Sequence, residues 1–152
     1  RSSDLFGGYH PEASKLVTQM RKTGMDITFI SDDGVKDETF IKVAGEYAEG
    51  VYATGPKDTT SNPLAIEAKE RHQEKYGKDP GAFFLNAYAA AMALYNAIEA
   101  AGSTDYDAIR EALMAEWVET PLGEIKFDEK GDAIGIGFSV YQVQDGEYVE
   151  VY

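Results

Sequence analysis

The chain has 152 residues, of which 43% are hydrophobic and 12% aromatic, so it is long enough to bury a core. Its formal net charge of -13 argues against nucleic-acid binding, because a face that binds phosphates needs clustered Lys and Arg, and the 14 basic residues are scattered. The absence of cysteine excludes disulfides and thiolate metal sites and leaves the redox compartment open.

Signals for membranes and export are also missing from the sequence. No apolar run approaches the ~20 residues that a membrane-spanning helix needs. There is no positively charged start followed by an apolar core. We therefore expect either a cytoplasmic protein or the mature part of an exported one.

The first 35 residues predict half of a doubly wound α/β layer. A short apolar strand at residues 5–6 leads through a Gly-Gly turn into an amphipathic helix, which begins at Pro11 and ends near Gly24. Residues 25–30 then predict a second, buried strand. The predicted buried face of the helix consists of Ala13, Leu16, Val17 and Met20.

Two polar side chains follow the ends of these two strands. Tyr9 follows the first strand, and Asp33 follows the second. The carboxyl ends of parallel strands meet at one edge of a sheet, where open α/β folds bind ligands. We therefore expect Tyr9 and Asp33 to face one crevice. On sequence alone, Asp33 also fits a solvated turn carboxylate, and Tyr9 can simply cap its strand.

The sequence of residues 36–76 predicts three further elements. Residues 36–43 predict a short helix and residues 50–54 a strand. A polar linker follows, in which Asn62 suits a helix N-cap, and residues 64–76 predict a charged surface helix that ends at Gly77.

Residues 83–101 predict a central core helix that packs on more than one side. A further helix runs to Trp117, so residues 57–117 hold three helices and no convincing strand. We therefore expect their apolar faces to cover a sheet formed by residues outside this chain. The apolar stripe of the central helix consists of Phe84, Ala87, Tyr88, Ala91, Leu94, Tyr95 and Ile98.

From Thr120 onward the sequence changes to an alternating pattern that predicts strands. Residues 124–127 and 138–143 predict two of them, and Asp145-Gly146 predicts a hairpin turn into residues 148–152. The carboxylates of residues 128–132 lack the spacing of a calcium loop, so they predict a turn.

No constellation of residues predicts catalysis, a cofactor or a metal site. The sequence lacks the Gly-Lys-Ser/Thr and three-glycine phosphate motifs, the Gly-x-Ser-x-Gly nucleophile motif, and any cysteine. His10 and His72 have no partner at metal-ligand spacing. We therefore expect a protein that is not an enzyme and binds no cofactor.

Five stretches of the sequence carry motifs of a known protein family, namely residues 7–12, 44–50, 76–80, 121–123 and 127–132. These motifs resemble those of the periplasmic branched-chain amino-acid binding proteins, the leucine, isoleucine and valine receptors of ABC importers. They occur in the family's order with similar spacing and cover nearly the whole chain, yet they correspond only to about the second half of such a receptor.

The resemblance implies a type I periplasmic binding fold, in which two doubly wound α/β lobes close on an amino acid. Residues 1–54 and 138–152 would form part of lobe 2, and residues 55–137 part of lobe 1, both incomplete without an N-terminal half. It also implies an extracytoplasmic, periplasmic location and the permease subunits of an ABC importer as partners.

The resemblance also implies roles for three residues. Asp33 would hold the α-ammonium of the ligand, although the family more often has glutamate there, and Tyr9 would line the same ammonium pocket. Phe83 would form a wall of the side-chain pocket, a position that also fits a core aromatic. The Ser/Thr loop that would hold the ligand's carboxylate is not in this chain.

Two other functions are compatible with the same residues. The fold also resembles amide-binding regulators and extracellular receptor domains, in which closure reports to a partner as a sensor. Alternatively, the chain binds nothing by itself and is a structural piece that needs a complementary N-terminal segment or self-association.

Overall fold

The computed structural model describes residues 3–152, which form eight strands and five α-helices. The strands are β1 (Ser3–Phe6), β2 (Thr28–Ser31), β3 (Tyr52–Pro56), β4 (Val118–Thr120), β5 (Gly123–Phe127), β6 (Ala133–Ile134), β7 (Phe138–Gln144) and β8 (Glu147–Glu150). The helices are α1 (His10–Lys22), α2 (Glu38–Ala44), α3 (Pro63–Tyr76), α4 (Phe84–Ala101) and α5 (Tyr106–Ala115). Short 3-10 turns occupy Asp33–Val35 and Gly45–Ala48.

The described residues divide into two compact units. Unit 1 contains the chain up to Gly55 together with Phe138–Tyr152, and unit 2 contains Pro56–Gly137. Both units mix helices with sheet, as expected for an α/β chain.

Unit 1 is built on a five-stranded sheet of order β1-β2-β3-β7-β8. The first three strands are parallel, so β1 and β2 end at the same edge, with Phe6 opposite Ser31. Strands β7 and β8 are antiparallel. The Asp145-Gly146 turn that joins them has φ angles of 53° and 80°, which confirms the predicted hairpin.

Helix α1 and the sheet of unit 1 share one core. One predicted position on the helix is wrong, because Leu16 is 42% exposed while Ser14 is buried. Ser14 tolerates burial because its hydroxyl donates to the Pro11 carbonyl at 3.1 Å. The core consists of Ala13, Val17, Met20, Phe29, Val35, Phe40, Ala44, Ala48, Val51 and Val143.

The second strand is shorter than the sequence predicts. It spans Thr28–Ser31, and Met25, predicted to be buried, is 46% exposed. The Arg21 guanidinium donates to the carbonyls of Met25 and Ile27 at 3.0 and 2.9 Å, so these two carbonyls are bound outside the sheet ladder.

Unit 2 contains α3, α4, α5 and the antiparallel sheet β4-β5-β6, of which β4 and β6 were not predicted. The predicted N-cap of α3 is confirmed. Asn62 Oδ1 accepts from the backbone N–H groups of Leu64 and Ala65 at 2.9 and 3.4 Å, and its Nδ2 donates to the Thr120 carbonyl at 2.9 Å. One side chain therefore caps the helix and ties it to β4.

Helix α4 buries its alanine face within this chain. Its alanines at 89, 93 and 97 are at most 2% exposed, and the buried pair Ala89 and Ala93 pack with Ile125. Because alanine is small, α5 and β4 can approach this face of α4 closely. The large apolar side chains of α4 lie on its other faces. The predicted apolar stripe is exposed within this chain, since Tyr88, Leu94 and Tyr95 are 37%, 46% and 72% exposed, as expected of a face that covers residues outside the chain.

The described helices contain no segment that is both long and apolar enough to cross a membrane.

Candidate functional site

Two loops start side by side at the carboxyl edge of the parallel strands in unit 1. We call residues 7–9 the glycine loop, which joins β1 to α1, and residues 32–36 the acidic loop, which follows β2. The buried Ser31 hydroxyl donates to the Phe6 carbonyl at 2.9 Å. This bond ties together the last residues of β1 and β2, from which the two loops emerge.

The two loops are in contact through Gly34. A Cβ on this buried residue would lie 2.5 Å from the Gly8 carbonyl oxygen and 3.0 Å from Cδ1 of Tyr9. The backbone φ of Gly34 is not left-handed, so the close approach itself requires the glycine. The Tyr9 ring therefore lies beside the residue that follows Asp33.

Tyr9 occupies the N-cap position of α1, and its side chain is 61% exposed. Its backbone carbonyl accepts the first helical bond, from the Ala13 N–H at 3.1 Å. The backbone thus serves the helix, while the ring and hydroxyl are accessible at the edge of the sheet.

Asp33 and Asp32 differ in surroundings although they are neighbours. Asp32 is exposed, and its carboxylate accepts from the Gly34 N–H at 3.3 Å, which shapes the turn. Asp33 is half-buried, and within residues 3–152 its carboxylate has no hydrogen-bond or ion-pair partner. A half-buried carboxylate in this state can accept a cation or a hydrogen-bond donor from a ligand.

Phe83 lies in unit 2, whereas Tyr9 and Asp33 lie in unit 1. It is the N-cap residue of α4, it is 42% exposed, and its carbonyl accepts from the Ala87 N–H at 3.0 Å. An exposed aromatic ring at a helix start can form part of an apolar wall. Its role in a side-chain pocket stays a prediction.

Sequence reasoning missed a residue that supports the acidic loop from the far end of the chain. The Tyr148 hydroxyl on β8 donates to the Val35 carbonyl at 2.5 Å. Burial raises the pKa of Tyr148 above its ordinary value. The alternating pattern predicted strand β8, but nothing in the sequence indicates that Tyr148 contacts Val35, 113 positions away.

The remaining chemistry-bearing motifs of the sequence have structural contacts. Asp128 Oδ1 accepts from the N–H groups of Lys130 and Asp132 at 2.8 and 2.9 Å, so this acidic segment is a turn, as predicted. His72 packs its ring against Tyr76 and Phe84. Residues 3–152 contain no cluster of three or more His, Asp or Glu side chains arranged to hold a metal ion.

The chain matches the profile of the periplasmic binding protein family over residues 5–147. It is 37% identical over 137 residues to the leucine-, isoleucine-, valine-, threonine- and alanine-binding protein of Pseudomonas aeruginosa, covering 90% of this chain and 37% of that protein. It is 35% identical over 147 residues to Leu/Ile/Val-binding protein homolog 1 of Brucella suis, covering 94% and 39%. The chain thus spans less than two fifths of the length of these relatives.

Solved structures give the same result for the fold. The leucine binding protein LivK of Thermotoga maritima is 32% identical with a TM-score of 0.84, covering 99% of this chain and 44% of that one. The branched-chain amino acid transporter substrate binding protein LivJ of Streptococcus pneumoniae, in complex with isoleucine, is 24% identical with a TM-score of 0.79, covering 99% and 45%. These likenesses confirm the predicted fold class, and the profile match shows that this chain belongs to the periplasmic binding protein family.

Proposed function

We propose that this chain is the part of an extracytoplasmic solute-binding protein that holds the ammonium group of a branched-chain or similar amino acid, for delivery to the permease subunits of an ABC importer. The observation that carries the proposal is the half-buried Asp33 carboxylate, which has no partner within residues 3–152 and is followed by a glycine packed against Tyr9. The names of the two relatives, a leucine-, isoleucine-, valine-, threonine- and alanine-binding protein and a Leu/Ile/Val-binding protein homolog, support the choice of ligand.

The proposed chemistry is recognition without a covalent step. The carboxylate of Asp33 pairs with the ammonium of the ligand, and the Tyr9 ring or hydroxyl supplies a cation–π contact or a hydrogen bond. Phe83 contributes an apolar wall for the side chain. Closure of two lobes on the ligand excludes water, which strengthens the charge pair by lowering the local dielectric constant. In this proposal unit 1 belongs to lobe 2 and unit 2 to lobe 1.

The proposed site needs residues from outside this chain. The chain spans 37% and 39% of its two relatives, and the large apolar side chains of α4 at Tyr88, Leu94 and Tyr95 are exposed. We propose that a complementary N-terminal segment covers this face and supplies the carboxylate-binding loop, and self-association is the alternative cover. We call this chain together with that segment the completed receptor.

The experiment is calorimetric titration of leucine into the completed receptor, comparing Asp33→Asn with Asp32→Asn. Asp33→Asn leaves a desolvated ammonium without its counter-charge, so it should cost about 2–5 kcal/mol, or roughly 30-fold in affinity at the least. Asp32→Asn removes the same charge one residue away and keeps an oxygen that accepts from Gly34. It should change the affinity by less than about threefold.

Two results would refute the assignment. Unchanged affinity in Asp33→Asn would exclude this carboxylate as the ammonium partner. Equal losses in both variants would show that only the net charge of the loop matters.

A further inference from the structure

The acidic loop is fixed at its start and in its middle by contacts already described. Ser31 ties the end of β2 to β1, and Gly34 packs on the glycine loop. The side chain of Val35 is fully buried in the core of unit 1. These contacts do not fix the orientation of the peptide group between Val35 and Lys36.

The terminal hairpin supplies that constraint. The Val35 carbonyl accepts from the Tyr148 hydroxyl at 2.5 Å and from the Asp37 N–H at 2.7 Å. The same hairpin holds the next residue, since the Lys36 ammonium lies 3.8 Å from the centroid of the Tyr141 ring on β7, and Tyr141 is only 4% exposed. Tyr148 on β8 and Tyr141 on β7 therefore contact two consecutive residues of the acidic loop, Val35 and Lys36.

We propose that the β7–β8 hairpin positions the acidic loop, with the Tyr148 hydroxyl as the anchor that aims Asp33 at the ligand. This inference rests on the proposed function and extends it to a positioning residue 115 positions from Asp33 (148 minus 33). Tyr148 suits the task because its ring packs on the core of unit 1 while its hydroxyl reaches the loop backbone. Like any tyrosine hydroxyl, with an ordinary pKa of ~10, this group is protonated in the physiological pH range, and burial raises its pKa further.

The first test uses hydrogen exchange on the 152-residue chain, with Tyr148→Phe as the variant and Tyr152→Phe as the control. Phenylalanine keeps the ring packing and removes only the hydroxyl, and Tyr152 is 87% exposed in the same terminal segment. Tyr148→Phe should speed exchange at the amides of residues 35–37 by about three- to tenfold, the worth of one hydrogen bond. The Val143 amide, bonded to the Val51 carbonyl, should not change.

A purely structural role gives a different pattern. If Tyr148→Phe accelerated exchange uniformly, including at Val143, the hydroxyl would stabilise unit 1 as a whole and the proposal would fail. It would also fail if exchange in residues 35–37 were unaltered. Tyr152→Phe should leave both sets of amides as they are.

The second test is a double-mutant cycle on leucine affinity in the completed receptor. Tyr148→Phe should weaken binding about three- to tenfold when Asp33 is present, and should have no further effect in an Asp33→Asn background. Additive losses, or no loss from Tyr148→Phe while Asp33→Asn is strongly impaired, would overturn the positioning role alone. An unimpaired Asp33→Asn variant would instead overturn the proposed ammonium site, and the inference with it.

Discussion

Replacing Gly34 by alanine tests whether close contact between the two loops shapes the site. The added Cβ would lie 2.5 Å from the Gly8 carbonyl oxygen and 3.0 Å from Cδ1 of Tyr9, against the 3.4–4 Å of ordinary contact. The obstacle at 2.5 Å is backbone, which cannot rotate away as a side chain can. The loops must therefore separate by about 0.9 Å to reach 3.4 Å (3.4 minus 2.5).

Overpacking of this kind costs about 1–3 kcal/mol. For a chain of this size the loss should lower the midpoint of thermal unfolding by roughly 2–12 °C. Circular dichroism can follow both assays: thermal unfolding gives the midpoint, and urea unfolding gives the free energy of unfolding and the m-value. In the completed receptor the same variant should also weaken leucine binding, because Asp33 moves away from Tyr9.

Gly7→Ala is the matched control on the glycine loop. A Cβ at Gly7 would lie 4.0 Å from Asp32 Oδ2, which is ordinary contact, and the φ of Gly7 is not left-handed. Its free energy of unfolding should stay within about 0.5 kcal/mol of the wild type. Equal stabilities of Gly34→Ala and Gly7→Ala would refute the reasoning, since the contact distance would then decide nothing.

Three further predictions concern other parts of the chain. The pKa of Tyr148 is raised above ~10 in the folded chain, so the unfolded state loses this proton first as the pH rises. The free energy of unfolding should therefore fall above pH ~10, by up to ~1.4 kcal/mol per pH unit. The fall should be less steep in Tyr148→Phe. Asn62→Ala should cost about 1.5–3 kcal/mol in urea unfolding, since it removes a helix cap and a bond to β4, whereas Asp105→Ala, which removes only the cap of α5, should cost about 1 kcal/mol. In the isolated chain, Ala93→Leu should lower the free energy of unfolding by about 1–3 kcal/mol, because Ala93 is buried, whereas Ala91→Leu, at an exposed position, should lower it by less than about 0.5 kcal/mol. In the completed receptor, Ala91→Leu should also become destabilising if a segment covers that face.

Local signals predicted most of the elements because each of them depends on neighbouring residues. Asn62 and Gly77 bound α3, Gly102 ends α4, and Asp145-Gly146 turns the last hairpin, all as the sequence indicates. The edges of β2 were misplaced because a side chain from another element, Arg21, binds the carbonyls before the strand. A tertiary hydrogen bond of this kind leaves no pattern in the neighbouring sequence.

Burial was harder to predict than secondary structure. Helix α4 carries apolar side chains on several faces, so its period alone could not say which face packs within this chain. The structure buries the alanines against α5 and β5 and exposes Tyr88, Leu94 and Tyr95. Similarly, the sequence named Tyr9 and Asp33 from their positions after strands, while Tyr148 could be found only from the tertiary contact with Val35.

The most direct test of the amine-binding site is a crystal structure of the completed receptor with leucine bound. The measured quantity is the distance from the ligand's ammonium nitrogen to the nearest carboxylate oxygen of Asp33. The account predicts about 2.7–3.2 Å, with the Tyr9 ring or hydroxyl in contact with the same ammonium. A structure in which another acid holds the ammonium and Asp33 faces only water would contradict it.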